Sequence, residues 1–226
     1  LEEAHLAAFL ENIGFNGFIA GLNSMLVGMG MHGFTWPEHA ATSGFSLFNI
    51  GGIIMIMFGI AISKSLADRF GKRDVFGVSL ALSAVCQLMF YFYSPQSVGA
   101  VFITQMAHGF FYGISTPLLW AMIADVADYS EWKNNRRATA IIFSAMIFGL
   151  KAGLSIGGAL VAGILAFFGY SEQLAVQSPE TIQGIRLSIS VFPTITFFIA
   201  VGCLFFYEIN KEKEIEIQNE LMKRRN

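Results

Sequence analysis

Residues 138–168 read ATAIIFSAMIFGLKAGLSIGGALVAGILAFF, and the only charge in that run is Lys151. A helix rises about 1.5 Å per residue, so the run is long enough to cross a hydrocarbon core of about 30 Å. Lys151 stands thirteen residues after Ala138, about 20 Å along such a helix. That depth is near or beyond the bilayer midplane, too far for the ammonium to snorkel easily back to the side where the helix starts. A centred lysine costs roughly 2.5–3.5 kcal/mol on insertion scales. The cost is bearable where the ammonium faces a water-filled cavity or a carboxylate. Ser144 and Ser155 lie seven positions before it and four after, on the same helical face. The stripe Ser144–Lys151–Ser155 therefore reads as the wet side of a transmembrane helix. A transport site and a structural ion pair both accommodate it. Roughly opposite, Ala145, Gly149, Gly153 and Gly157 recur every four residues, a spacing that lets a neighbouring membrane helix pack closely.

Outward from this span the chain keeps the same character. Four further apolar stretches, 44–63, 75–94, 98–124 and 186–207, are each long enough to span. A sixth, 5–30, is interrupted by Glu11, Asn12, Asn16 and Asn23, which a membrane tolerates where they face protein or a wet cavity. Only 13% of residues are charged and 54% are hydrophobic, against about 25% charged in soluble domains, so lipid rather than water is expected on most of the surface. The expected fold is all-α: a polytopic bundle of six transmembrane helices over 1–207, with a cytoplasmic tail at 208–226. In that tail Ile215, Leu221 and Met222 read as the apolar side of a short helix; a solvated end is the other reading.

Charge placement orients the bundle. Twelve of the 14 Lys and Arg fall in a 64–74 loop, a 125–137 loop and the tail, leaving Arg186 and Lys151 elsewhere. By the positive-inside rule that side is cytoplasmic, with both termini on it, in what is expected to be a bacterial inner membrane. No tract suits nucleic acid. Cys86 and Cys203 sit in apolar stretches as small lipid- or core-facing residues rather than a disulfide or metal pair. The sequence carries no nucleophile–base pair, metal-ligand spacing or phosphate loop, so neither an enzyme, a metal nor a cofactor is expected. The chain begins at Leu1 with no cleavable signal ahead of its first apolar stretch, and its start reads as cut.

Two further constellations carry chemistry. Thr104, His108, Tyr112 and Ser115 or Thr116 follow helical spacing in the 98–124 span. Hydroxyls hydrogen-bond a sugar and aromatic rings cover its apolar face, so the line is a candidate sugar site; ordinary interhelical hydrogen bonding is the other reading. The segment Asp125-Val-Ala-Asp128-Tyr-Ser-Glu131-Trp-Lys133-Asn-Asn-Arg136-Arg137 gathers both charge signs at a membrane edge. Its ion pairs would latch one access state of a transporter, or form a solvated positive-inside loop.

That segment resembles the signature of the glycoside–pentoside–hexuronide:cation symporters of the major facilitator superfamily, a family that includes the melibiose permeases. Phe143-Ser144, Lys151-Ala-Gly153, Gly157-Gly158-Ala-Leu, Phe168-Gly169-Tyr170, Gln177-Ser-Pro179-Glu180 and Gly184-Ile-Arg186 follow it in order. The loop Leu66-Ala-Asp68-Arg69-Phe-Gly71-Lys72-Arg73 is similar to the superfamily's cytoplasmic loop motif. The likeness covers about 44–226, and 1–43 match poorly. It implies the second half of a twelve-helix transporter, built as 3+3 helices, whose partner would be a missing N-terminal six-helix half. It further implies symport of a sugar or glycoside with Na⁺ or H⁺, with Lys151 at the family's intramembrane lysine beside both sites. Asp125, Asp128, Glu131, Arg136 and Arg137, with Asp68 and Arg69, would then form a cytoplasmic gate. Ile147 is apolar where the melibiose permease branch places a hydroxyl, and the external loop and tail look more like the pentoside and hexuronide branches. The rival expectation is a non-transporting six-helix subunit or sugar sensor.

Overall fold

A computed structural model describes residues 3–12, 14–28, 40–94, 96–174 and 177–225. Among them the chain is all helix and turn. The elements are α1 (Glu3–Asn12), α2 (Phe15–Gly28), α3 (Ala40–Phe70), α4 (Lys72–Met89), α5 (Val98–Asn134), α6 (Thr139–Phe167), α7 (Pro179–Ile189), α8 (Val191–Cys203), a 3₁₀ turn (Leu204–Phe206) and α9 (Lys211–Arg225).

Four helical segments among the described residues are long and apolar enough to cross a membrane: Gly44–Phe70, Val98–Asn134, Thr139–Phe167 and Pro179–Phe206. The expected six are not all reached. The 5–30 segment is broken, because Gly14 takes φ +71 and separates helices of 10 and 14 residues, each too short to span alone. Helix α4 has 18 residues, about 27 Å, and opens on the charges Lys72, Arg73 and Asp74.

Other boundaries also differ from the sequence reading. There is no 64–74 loop: α3 continues to Phe70, and a single residue, Gly71 at φ +93, turns the chain into α4. Few residues other than glycine adopt that backbone. Nor is 125–134 a loop. Helix α5 runs through it for 37 residues and stops at Asn135, which is left-handed at φ 50. The helix persists because Val126, Tyr129 and Trp132 form a stripe that the tail covers with Ile209, Ile217 and Leu221. The last span starts at Pro179 rather than 186, where Ser178 caps it by accepting from the Thr181 amide. It breaks at Ser190. Pro193 has no N–H for the Ile189 carbonyl, and Gln87 Nε2 of α4 donates to that carbonyl instead.

The tightest packing lies between α3 and α5. A Cβ on Gly109 would stand 2.5 Å from the Gly52 carbonyl oxygen, and one on Gly113 would stand 2.8 Å from Ile56 Cα. From the other side, a Cβ on Gly59 would meet the Ile114 nitrogen at 2.9 Å. Glycines on both helices thus let the backbones touch. The four-residue glycine pattern that sequence spacing favoured for packing is elsewhere, on α6, and there Gly149, Gly153 and Gly157 have nothing within 4 Å. No residue of α6 is buried among the described residues.

The tail is an ordered helix laid along the end of the bundle. Its buried side is Ile217 and Leu221, with Ile209 before the helix. Ile215 and Met222, expected on the apolar side, point outward. Positions 217 and 221 share a face one turn apart, and Leu221 is the one expected residue on it. Ile217→Asp is therefore expected to release α9, at a cost of about 2–3 kcal/mol for the buried carboxylate. Limited proteolysis reads this directly: the tail should become trypsin-sensitive in Ile217→Asp and stay protected in Ile215→Asp.

Candidate functional site

Chemistry-bearing side chains gather at two places, the charged end of the bundle and the α5–α6 midsection. At the charged end Lys72, in the first turn of α4, places Nζ 2.7 Å from Asp125 Oδ1 of α5 and 2.9 Å from Glu214 Oε1 of α9. Burial alone would draw the lysine pKa down. The hydrogen bonds with Asp125 and Glu214 outweigh it, and the pKa lies above the ordinary lysine value. Because the folded value is raised, the stability it carries is present below the unfolded value of about 10.4 and is lost only as pH climbs through the folded one.

Three more contacts seat α9. Lys211 Nζ donates to the carbonyls of Asp68 (2.7 Å) and Arg69 (3.1 Å) at the C-terminus of α3, where a cation is favoured by the helix dipole. Trp132 Nε1 donates to Glu220 Oε2 at 2.7 Å. Arg224 Nη1 donates to Asn135 Oδ1 at 2.9 Å.

Of the expected gate residues, Asp125, Asp128, Glu131 and Arg137 are brought together. Arg137 Nη2 lies 3.3 Å from Asp128 Oδ1, and its Nε lies 3.7 Å from Glu131 Oε2. Arg136 is exposed and contributes its carbonyl to Ser130 Oγ. Asp68 and Arg69 take part through their carbonyls, and the Arg69 guanidinium lies 5.3 Å from the Phe70 ring centroid. Sequence reasoning missed Lys72, Glu214 and Lys211 as partners in this cluster. The alternation Lys211-Glu-Lys-Glu214 beside an Ile217/Leu221 pair was the available signal.

In the midsection the line of polar residues on α5 divides. Thr104 is buried, 2.6 Å from the Tyr93 hydroxyl. His108 Nδ1 lies 2.9 Å from Ser83 Oγ of α4, with its ring stacked against Tyr112 (5.9 Å) and Phe197 of α8 (6.4 Å). Both side chains are thus engaged within this chain. Tyr112 and Thr116 are more open, with Thr116 Oγ1 donating to the Tyr112 carbonyl. Ser144, Lys151 and Ser155 are exposed on α6, and none forms a hydrogen bond or ion pair among the described residues. Lys151 is thus a cation in the middle of an apolar helix of 29 residues, with its face open. No group of three or more potential metal ligands exists among the described residues.

The motifs around the α6–α7 connection have packing roles. Gln177 clamps the turn by donating to the Ser171 carbonyl at 2.7 Å. Thr181 Oγ1 donates to the Phe168 carbonyl at 2.7 Å, and Arg186 donates to the Tyr93 carbonyl. A Cβ on Gly184 would stand 2.5 Å from the Phe168 side chain, so only glycine fits there.

Residues 38–211 match the family described as MFS/sugar transport protein. The chain is 30% identical over 178 residues to the "Putative glycoside/cation symporter YagG" of Escherichia coli (strain K12), covering 79% of this chain and 39% of that protein. It is 31% identical over 183 residues to the "Isoprimeverose transporter" of Lactiplantibacillus pentosus, covering 79% and 37%. To the "Inner membrane symporter YicJ" of Escherichia coli (strain K12) it is 34% identical over 144 residues, covering 64% and 31%. The chain thus spans less than two-fifths of the length of each of these relatives. With its apolar helices, its ordered motifs and this match over most of its length, the chain is an integral membrane protein that belongs to the glycoside/cation symporter family of the major facilitator superfamily.

Proposed function

We propose that the chain forms the C-terminal, six-span half of a secondary transporter that carries a sugar or glycoside, of pentoside or hexuronide type, together with Na⁺ or H⁺ by alternating access. The observation that carries this reading is Lys151: a cation on an apolar helix, without a partner among the described residues, with hydroxyls on its face two turns before it and one turn after. An amphipathic face of that kind needs water or a second protein surface. The N-terminal half of the transporter would supply it. Lys151 would line the midplane site and sense the coupling ion, with Ser144 and Ser155 beside it. Tyr112 and Thr116 would contact the sugar, with the His108 ring stacked against that of Tyr112 and Thr104 held by the Tyr93 hydroxyl. The Lys72–Asp125–Glu214 and Arg137 pairs would close the cytoplasmic side, with both termini there and the inner membrane as the site of action.

The test uses the complete transporter in vesicles. Lys151→Ala is expected to lower gradient-driven uptake of the transported glycoside at least tenfold, the order of a 1.4 kcal/mol loss, with the protein still inserted. Uptake, cation dependence and sugar affinity all unchanged in that variant would sink the proposal. Sugar binding without gradient-driven uptake in the wild-type protein would instead favour a sensor.

A further inference from the structure

Helix α5 has three distinct sides in its middle. Gly109 and Gly113 meet α3. Leu118 and Met122 pack with Val75, Phe76 and Leu80 of α4. The third side carries Tyr112, Thr116 and Trp120 at four-residue spacing, and it is the open one: Tyr112 and Trp120 remain 40% and 44% exposed. The Trp120 indole N–H has no acceptor among the described residues.

Depth separates Trp120 from a tryptophan that anchors a helix at the membrane surface. Helices α5 and α6 are joined through residues 135–138, so levels on both can be counted from the same turn. Trp120 lies fourteen residues before the end of α5, about 21 Å from it, and Lys151 lies twelve residues after the start of α6, about 18 Å from it. Ser155, one turn further, is at about 24 Å. The indole therefore stands between the levels of Lys151 and Ser155. A surface anchor would sit beside the Lys72–Asp125 pair, and Trp120 is about 8 Å deeper than Asp125 along the helix. An indole N–H at that depth is unfavourable against lipid, which has no acceptor for it. A flat apolar face with one donor at its rim is matched instead by a pyranose, whose C–H groups line a face of the ring and whose hydroxyls surround its edge.

We propose that Trp120 is the residue on which the glycosyl ring of the substrate lies, and that Tyr112 takes the second unit of the glycoside; this rests on the transporter reading above. Tyr112 and Trp120 are eight residues apart, about 12 Å along the helix, with the Thr116 hydroxyl between them. One open side of α5 thus presents two aromatic rings and a hydroxyl in a row, which suits two linked units better than a single sugar. The glycosyl unit belongs at Trp120, because that level also holds the Lys151 ammonium and the Ser155 hydroxyl to meet its polar edge. Tyr112 stands higher, beside the rings of His108 and Phe197, where an apolar second unit is better matched.

The test is calorimetric binding to the complete transporter in detergent, with methyl and p-nitrophenyl β-D-xylosides and the corresponding β-D-glucuronides as probes. Trp120→Ala is expected to weaken the methyl and p-nitrophenyl forms of the bound glycoside alike, by about tenfold, with the melting temperature unchanged because the side chain is open. Trp120→Phe keeps a ring and should stay within about threefold of the wild type. Tyr112→Ala should weaken the p-nitrophenyl form more than the methyl form. Wild-type affinity for both forms in Trp120→Ala, or a loss confined to the p-nitrophenyl form, would overturn the proposal. If the wild type still showed gradient-driven uptake, that result would remove the Trp120 assignment alone. The expected weakening in a protein without gradient-driven uptake would uphold Trp120 and remove the transport reading instead.

Discussion

Gly113→Leu is expected to cost at least about 3 kcal/mol and to separate α3 from α5. Overpacking ordinarily costs about 1–3 kcal/mol because neighbouring side chains rotate away. Here the obstacle is backbone: a Cβ would stand 2.8 Å from Ile56 Cα, and the Ile56 carbonyl crowds it too. Backbone of an adjacent helix yields only by moving the whole helix. In lipid the loss is not made up by burial elsewhere, since close packing rather than the hydrophobic effect holds membrane helices together. Thermal melts of the detergent-solubilised chain, followed by loss of the monodisperse peak, should show a large drop for Gly113→Leu. Gly202→Ala is the control: that site has nothing within 4 Å, and its change should stay within about 0.5 kcal/mol. Equal stability of the two variants would mean that the seam is not close-packed.

The second large effect lies at Lys72. Removing one partner of a buried pair costs about 3–5 kcal/mol because an unpaired charge is left behind. Lys72, Asp125 and Glu214 retain side-chain exposures of 23%, 11% and 20%, so the expected loss for Lys72→Ala is smaller, about 2 kcal/mol. Two carboxylates would then face each other across the α5–α9 contact, and their repulsion should lift the tail. Lys72→Ala is accordingly expected to lower the melting temperature and to expose the tail to trypsin. Adding Asp125→Asn should restore part of the stability, because that variant no longer strands two like charges. A double variant no better than Lys72→Ala alone would show that the lysine acts by packing its stem and not by pairing.

Several parts of this architecture were legible in the chain. The apolar runs marked where helices lie, because a bilayer demands about twenty uncharged residues from each crossing helix whatever its neighbours. Lys151 was legible for the same reason, as one charge is conspicuous among thirty uncharged residues. The glycine pattern read on α6 meets nothing among the described residues, and the close-packed glycines on α5 were not singled out. Small residues permit close approach without saying which helix accepts the offer: Gly109 and Gly113 meet α3, whereas the more regular series on α6 meets nothing in this chain. Thr104 and His108 were found as a polar line, but periodicity locates a face without saying what lies opposite. Ser83 and Tyr93 proved to be their partners.

The sequence by itself determined the solvent, the helical class and the family, since each follows from local composition or from the order of short motifs. Only the tertiary structure decided that Asp125 belongs to Lys72 and Glu214, 53 and 89 positions away in the chain. It likewise decided that Ile217 rather than Ile215 is buried and that α5 continues ten residues beyond its apolar run. These are pairings between distant segments. A charge or an apolar side chain is satisfied by any suitable neighbour, and which neighbour arrives depends on how α3, α4, α5 and α9 meet at one end of the bundle.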